Sequence, residues 1–542
     1  MKTLIKKLIQ KKNLTHSELD ELKNSWSRLN FRSAPSTAEV LKEYRNLVVG
    51  KKIKSSALLE SILQKRGVRT LSGVAIVTVL TKSWPCHGRC VYCPLEPGMP
   101  KSYLKSEPAA QRAYFNKFNP YNQVISRLQM LYNNGHLTNK IELIVKGGSW
   151  NAYPWNYQVW FIKECFRAAN EFDPSLRGAK QRSNLISKPR DCFASLAMTQ
   201  EQNENAANRI VGLTLETRPD LITHKTAEQI RFLGCTRVEM GIQHTDNKIL
   251  RLTKRGHTIA DAKKATALLR GYGFKIDFHL MPQLPGSTPA KDYKMFEKIF
   301  ADPNLRPDMI KIYPCTVVKN SELYQWHKKG QFKPYADKKL IEMLVKVKSK
   351  IIPRYCRISR LIRDIPSTEI IAGNLATNLR QIIQVEMKRR GLTCQCLRCR
   401  EIGHRPTCHS ERSEESLFKL KLFIDQYQAS GGTEYFLSFE DTRRRAVYAF
   451  CRLRLGADGL YPAFIRELHT YGQLMPLGQR SKKTTQHHGF GKLLMAAAEK
   501  IASEHGVDKI AVIAGIGVRG YYQHLGYQLE KTNMVKKLTN LR

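Results

Sequence analysis

The sequence predicts an α/β protein in two parts: a parallel sheet built from strand–helix repeats, followed by a second α/β domain with an antiparallel sheet. Three observations predict it. Short β-branched runs alternate with stretches of helical period from Gly73 to Ile312, the signature of βα units. From about Tyr435 the alternation gives way to strand-like runs set close together. A Gly-rich turn then opens a long helical pattern over Gly489–Glu504.

Taken in order, residues 1–70 are basic and mostly helical in pattern, with KKIKSS at 51–56 and QKRGVRT at 64–70. The opening MKTLIKKLIQKK reads as a short amphipathic basic helix, its lysines breaking any signal-peptide core. Gly73–Leu80 is short, apolar and β-branched, hence a buried strand. Further strands are expected at Ile141–Val145, Ile210–Leu215, Arg237–Ile242, Lys275–Leu280 and Met309–Ile312. Helical patterns lie between them at Asn122–Asn133, Lys225–Leu233 and Ile259–Arg270. Right-handed crossovers put the functional loops of such a sheet at the carboxyl ends of its strands.

Two stretches break the rhythm, one over about 175–208 and one over 408–416 (CHSERSEES). Neither holds a period, and both read as surface insertions. In the second domain EYFLSFED, AVYAFCRLRLG and AFIRELHTYG supply the sheet, and the Gly489–Glu504 helix, a strand at Lys509–Ala514 and a short helix near Tyr521 follow. The expected plan is a basic arm over 1–70, a first catalytic domain over 71–365, a cysteine-rich linker over 366–407, the insertion at 408–416 and a second catalytic domain over 417–542.

Composition bounds the function. The 542 residues carry 90 Lys and Arg against 46 Asp and Glu, a net charge of +44, which favours a polyanionic partner. A hydrophobic share of 42% excludes wholesale disorder. No apolar run reaches the roughly 18 residues of a membrane helix, so no membrane partner is expected and a cytoplasmic location is. Thirteen cysteines do not make a disulfide scaffold, and two tight clusters among them point to metal.

The first cluster is Cys86-His-Gly-Arg-Cys90-Val-Tyr-Cys93. Three thiolates can hold three irons of a 4Fe–4S cluster, leaving the fourth iron free to chelate S-adenosylmethionine, whose reductive cleavage yields a 5′-deoxyadenosyl radical. The competing reading is a structural zinc site with His87 as fourth ligand. The position after the first strand favours iron, as does the pair Gly147-Gly148 after the second, where backbone can approach a ligand closely.

The second cluster, Cys394-Gln-Cys396-Leu-Arg-Cys399, suits tetrahedral zinc in a structural role. Cys356, His404 and Cys408 are candidates for the fourth ligand, and free thiols in a basic linker are the alternative. In the second domain Gln486-His-His-Gly489-Phe490-Gly491-Lys492 opens the long helix with the Q-x-x-G-x-G spacing of an acyl-CoA pyrophosphate site, as in GNAT-type acetyltransferases. Tyr521 and Tyr522 stand where such domains carry a tyrosine near the thioester sulfur; a phenol there can protonate a departing thiolate.

Together these motifs resemble the family of the Elongator catalytic subunit in its single-subunit bacterial or archaeal form. The resemblance runs from about Val68 to the end through VRTLSGVAIVTVLTK, the cysteine triad, NPYNQ, GLTLETRPD, RVEMGIQH, MPQLPG, IKIYP, SRLIRDIPS, CQCLRCREIG, EYFLSFED, RELHTYG, QHHGFGKLL and GYYQHLGY. It implies a partial TIM-barrel-like radical S-adenosylmethionine domain joined to a GNAT-type domain by a zinc-binding linker. The implied reaction transfers a carboxymethyl group, taken from acetyl-CoA, to C5 of the tRNA wobble uridine, with hydrolysis of the thioester releasing CoA.

By that resemblance Cys86, Cys90 and Cys93 hold the 4Fe–4S cluster and Gly147 and Gly148 lie by S-adenosylmethionine. Lys311 and Tyr313 sit at the radical centre, and Cys394, Cys396 and Cys399 hold zinc. Gln486, Gly489, Phe490, Gly491 and Lys492 cradle CoA, with Tyr521 and Tyr522 at the thioester. The implied partner is tRNA, with no obligatory protein partner and a monomeric or homodimeric chain.

The sequence departs from the family pattern in the shorter interval CHGRC, in His244 and in Gln283, whereas His279 agrees with it. Two other functions remain in view: a protein lysine acetyltransferase with a structural cluster, and a tRNA-binding protein whose catalytic domains have decayed. The basic charge fits RNA better than a histone-like tail.

Overall fold

The computed structural model describes residues 1–11, 13–64, 70, 72–173, 192–404, 420–457, 459–471 and 489–538. Among them no helix is long and apolar enough to cross a membrane.

The amino-terminal region is a helical bundle with its own core. Helices span Lys2–Gln10, His16–Leu29, Thr37–Val49 and Ala57–Leu63. Thr15 with Glu18, and Ser36 with Glu39, form capping boxes that satisfy the first free N–H groups of their helices. Leu4, Ile5, Leu8, Leu19, Val40 and Leu41 pack inside. Arg45 ties the bundle to the next domain, donating to the Tyr132 carbonyl at 2.5 Å and lying 4.0 Å over its ring.

The chain then lays down β1 (Ala75–Leu80), β2 (Lys140–Lys146), β3 (Arg209–Thr217), β4 (Arg237–Gln243), β5 (Lys275–Leu280), β6 (Met309–Ile312), β7 (Val317–Val318), β8 (Arg357–Arg360) and β9 (Ile370–Ala372). Seven of these form one parallel sheet in the order β1-β2-β3-β4-β5-β6-β8, a half-barrel that ends at β1 and β8. β7 and β9 pair separately as a small antiparallel ribbon.

Period-2 alternation gives the half-barrel its two faces. On β2, Ile141, Leu143 and Val145 are buried against the covering helices, while Glu142, Ile144 and Lys146 point into the concave side. The same holds on β5, whose Lys275, Asp277 and His279 line the concave side and whose Ile276, Phe278 and Leu280 are core. Crossover helices at Pro120–Asn133, Trp155–Glu171, His224–Phe232, Ile259–Gly271, Pro289–Ala301 and Asp337–Lys350 cover the convex face.

One expectation is corrected here. The stretch read as an aperiodic insertion over about 175–208 contains a helix, Cys192–Asn205, packed on the helix Trp155–Glu171. Leu196 is fully buried, and buried Asn203 accepts from Ile210 N at 2.7 Å and donates to the Asn208 carbonyl. The polar run QEQNEN gives that helix no apolar stripe, which is why its period does not show in the sequence. Residues 174–191 and the 408–416 insertion lie outside the described residues.

The last domain is a second seven-stranded sheet: β10 (Leu420–Ala429), β11 (Gly432–Asp441), β12 (Val447–Leu455), β13 (Ala463–Thr470), β14 (Lys509–Val512), β15 (Gln528–Glu530) and β16 (Asn533–Lys537), in the order β10-β11-β12-β13-β14-β16-β15. All its pairings are antiparallel except β13 with β14. That parallel pairing covers Ala463–Ile465 against Ile510–Val512, and β13 then runs on to Thr470 without β14 beside it. The strands therefore splay into a cleft. The helix Phe490–Glu504 packs its Leu494, Met495, Ala498 and Ala502 on one face of this sheet. The other face lies on the half-barrel, so Phe436, Val447, Phe450 and Tyr471 belong to the same core as β1–β6.

Candidate active site

The loop leaving β1 carries Cys86, Cys90 and Cys93 to the carboxyl end of the half-barrel. Arg255 Nη1 donates to Cys90 Sγ at 3.4 Å. A hydrogen bond from the Cys93 thiol, reinforced by Arg255, holds the Cys90 thiol down to about 4, while the same bond pushes Cys93 up. Arg218, anchored on Asp220 at 2.9 Å and on the Arg255 carbonyl at 2.7 Å, leaves its Nη1 buried and without a partner among the described residues. A Cβ on Gly88 would collide with that same Nη1. Three thiols on one loop, under two guanidiniums with an orphaned donor, fit an anionic iron–sulfur cluster.

Gly147 and Gly148 follow β2 with φ of 127° and 104°, backbone open to glycine and strained for other residues. A side chain at Gly147 would strike Thr81, so this turn keeps backbone bare beside the cysteine loop. Cys86 Sγ lies 3.8 Å from Ser149 Oγ, the next residue of the turn. A cofactor that approaches backbone closely fits here.

The concave ends of β2–β6 carry a buried charge cluster. Lys311 donates to Glu239 at 2.5 Å, and Lys146 to Glu216 at 3.3 Å as well as to Glu239. His279 sits between Glu239 at 3.1 Å and Glu216 at 3.6 Å, and Tyr103 donates to Glu216 at 2.8 Å. Burial raises the Glu216 carboxyl, but the Lys146 and Lys311 ammoniums outweigh it and hold the group at about 2. Burial, with Lys311 and Lys146 nearby, pushes the His279 imidazole well down, so it is neutral. Tyr313 stands edge-on to His279 at 5.5 Å. Lys311 and Tyr313 thus both border this cluster, beside the His279 that the sequence noted and the carboxylates that it did not.

In the second domain Gly489 caps the helix Phe490–Glu504 in the left-handed conformation, φ 78°, and Phe490 packs on Phe439. A Cβ on Gly491 would meet the Tyr521 hydroxyl at 2.8 Å, so that phenol lies directly over the helix start. Tyr521 is 38% exposed, and burial of its hydroxyl pushes it up to about 12. Tyr522 is buried edge-on against Tyr527 in the domain core. Gln486 lies outside the described residues.

One cavity of about 1500 Å³ joins these parts. Cys86, Cys90 and Cys93 line it, as do Gly148, Lys311 and Tyr313. Gly489, Gly491, Lys492, Tyr521 and Tyr522 line the same space from the second domain. The splayed end of β13 forms its wall between them, through Glu467, Leu468 and His469.

The second cysteine group lies apart, in the linker. The sulfurs of Cys394, Cys396 and Cys399 are within 4.8 Å of one another, close enough for one metal ion. Lys348, 1% exposed, points its ammonium at Cys399 Sγ, 3.8 Å away. Cys356 is buried nearby but is not a member of this group; its carbonyl accepts from Leu397 N. Cys408 and the side chain of His404 lie outside the described residues.

The residues that sequence reasoning missed, Arg218, Glu216, Glu239, Lys146 and Arg255, carried a faint signal. GLTLETRPD and RVEMGIQH set Glu216, Arg218 and Glu239 in or beside otherwise apolar strand-like runs.

Comparison with known proteins gives three findings. A family model described as the radical SAM superfamily matches residues 176–299, and one described as the Radical SAM C-terminal domain matches residues 307–389. The tRNA uridine(34) acetyltransferase of Methanocaldococcus infernus is 40% identical over 555 residues, covering 99% of this chain and 98% of that protein. That of Dehalococcoides mccartyi is 40% identical over 484 residues, covering 88% of this chain and all of its own, and Elongator complex protein 3 of Homo sapiens is 34% identical over 88% of this chain and 86% of its own. Among solved structures, the archaeal Methanocaldococcus infernus Elp3 with its N-terminus deleted is similar at a TM-score of 0.72 and 40% identity, covering 86% of this chain and 100% of that one.

Proposed function

Because the chain belongs to the family of the tRNA uridine(34) acetyltransferases and Elongator complex protein 3, we propose that it modifies tRNA at the wobble uridine, placing on C5 a carboxymethyl group derived from acetyl-CoA. The single observation that carries this reading is the shared cavity, lined at once by the cysteine loop with Lys311 and Tyr313 and by Gly489, Gly491 and Tyr521. A carbon activated in one domain and a thioester held by the other need one continuous space.

As a radical S-adenosylmethionine protein the chain takes a 4Fe–4S cluster and S-adenosylmethionine. Once bound, these supply a 5′-deoxyadenosyl radical that can abstract hydrogen from an unactivated carbon. Cys86, Cys90 and Cys93 are the cluster ligands in this reading, and Arg255 and Arg218 offset the charge of the thiolates. Gly147 and Gly148 give the cofactor bare backbone. Lys311 and Tyr313 face the reacting groups, and Glu239 at 2.5 Å and Asp277 at 4.0 Å hold the Lys311 ammonium in place.

The cleft between β13 and β14 suits the pantetheine arm of acetyl-CoA, and the helix start at Gly489–Lys492 suits its phosphates through free N–H groups and the helix dipole. The phenol of Tyr521, set over Gly491 and protonated at neutral pH, is placed to donate a hydrogen bond to a departing CoA thiolate. Cys394, Cys396 and Cys399 hold a structural zinc ion in this reading. The net charge of +44 supports a tRNA footprint.

The test is anaerobic reconstitution with iron and sulfide, then incubation with tRNA, S-adenosylmethionine and acetyl-CoA. The expected product is 5-carboxymethyluridine on nucleoside mass analysis. A formed cluster with unmodified tRNA would overturn the reading, and acetyl groups found on protein lysines instead would redirect it to protein acetylation.

A further inference from the structure

If the thioester lies in the cleft beside β13, water must be activated there to release CoA, and the cavity offers few free bases. Among the described residues its carboxylates are all ion-paired. Glu467 is held by Arg452 at 2.9 Å and Lys275 at 3.5 Å, and Glu142 by Arg237 at 2.5 Å. Glu216, Glu239 and Asp277 face Lys146 and Lys311, and Glu107 and Asp364 face Arg363 and Arg360. His279 has both ring nitrogens turned to carboxylates.

His469 differs. It lies on β13 past the point where β14 leaves, half-buried, stacked on Phe450 at 5.7 Å and against Tyr471 at 4.6 Å. Those rings belong to the core shared with the half-barrel, so His469 faces the radical domain. Its neighbour Leu468 lies on the opposite face of the strand, 3.9 Å from where a Gly491 side chain would begin. The Nε2 of His469 meets the Ser72 carbonyl at 2.9 Å. A carbonyl can only accept, so Nε2 carries the hydrogen and Nδ1 keeps its lone pair. Nδ1 has no partner among the described residues, and the ring lines the cavity.

We propose that His469 is a catalytic base for CoA release, taking on Nδ1 a proton from the water that attacks the thioester carbonyl. The proposal rests on the acetyl-CoA reading above. The water oxygen bonds to the carbonyl carbon, the C–S bond breaks, and CoA leaves as a thiolate. The proton on His469 returns to that thiolate, directly or through Tyr521, and the new carboxylic acid gives its own proton to solvent. No oxidant or reductant is consumed. Burial lowers the His469 pKa, and the charges facing it, Glu467 on its own strand, Glu401, Arg357 from β8 and Lys275 from β5, divide between the two signs, so the ring is neutral and basic at neutral pH.

The experiment uses the reconstituted full-length enzyme with tRNA, S-adenosylmethionine and acetyl-CoA, reading free CoA thiol and 5′-deoxyadenosine together. His469→Gln keeps an N–H for the Ser72 carbonyl and removes the base. Thiol release is expected to fall about 100-fold or more, with acetyl-CoA affinity and 5′-deoxyadenosine formation unchanged. The wild-type release rate should fall as pH drops below the ordinary histidine range, and the variant should lack that acid limb. Wild-type thiol release by His469→Gln would overturn the proposal and leave the acetyl-CoA reading standing. A wild-type enzyme that released no thiol would overturn that reading and the proposal with it. Should His469→Gln unfold, free imidazole added to His469→Ala decides: restored release supports the proposal and its absence overturns it.

Discussion

Arg466 of β13 and Asp308, which leads into β6, form an ion pair across the two domains with both side chains wholly buried. Arg466 also reaches Glu434 at 3.0 Å and the Phe274 carbonyl at 2.9 Å. Two charges stripped of water hold only while both are present. Asp308→Ala should therefore destabilise the fold by about 3–5 kcal/mol, read as a lowered denaturation midpoint. A loss within about 0.5 kcal/mol, the range of an ordinary surface substitution, would show that the pair does not bind the domains together.

The carboxyl of Glu216 is held at about 2 in the folded chain, below its ordinary 4.5. A depressed carboxylate stabilises the fold above its unfolded pKa, and that contribution is lost as pH falls from about 4.5 towards 2. Glu216→Gln should flatten the acid limb of a stability-against-pH curve over that window while lowering stability at pH 7. An unchanged acid limb would mean that Lys146 and Lys311 do not hold this charge.

Gly491 leaves room for the Tyr521 hydroxyl, which a Cβ would meet at 2.8 Å. Gly491→Ala should displace the phenol and narrow the phosphate turn. Acetyl-CoA binding measured by calorimetry should weaken roughly tenfold, about 1.4 kcal/mol, with iron content unaltered. Unaltered acetyl-CoA affinity would speak against this helix start as the CoA site.

Lys348 is the buried cation beside the linker thiols, 3.8 Å from Cys399 Sγ. Three thiolates on a divalent ion carry excess negative charge, which a nearby ammonium offsets. Lys348→Met should lower zinc affinity by about 10–100-fold in chelator competition, the usual scale for groups just outside the ligands. Equal retention of zinc by both proteins would refute this role.

Lys51, Lys52 and Lys54 are exposed on the loop that follows the helix Thr37–Val49. Reversing all three charges should weaken tRNA binding and flatten its salt dependence, since each lost phosphate contact removes about 0.7–0.9 from the slope. An unchanged slope would make them solvated charges and no more.

Much of the fold was legible in the sequence. The strands Lys275–Leu280 and Met309–Ile312 form where their strand-like runs predicted, because a strand buried on its helix-covered face shows apolar residues at every second position. β8 was not legible: RISR alternates charge with a single isoleucine and becomes a strand by pairing with β6. β10 likewise takes its place through its pairing with β11. The cysteine spacings and the Gly489–Gly491 turn were legible because each is a property of one loop or one helix start. The carboxylates around Lys311 were not, because alternation tells which face a residue takes and never which residue stands opposite.

By itself the sequence determined the strand–helix order, the two thiol groups and the bare glycine turns, all set by forces acting within about a dozen residues. The tertiary structure alone decided that the second sheet closes over the half-barrel. That packing brings Arg466 to Asp308 across 158 residues and His469 to Ser72 across 397. Such meetings follow from the burial of whole apolar faces, a sum over many side chains that no local pattern encodes. The continuous cavity they enclose is the product of that sum.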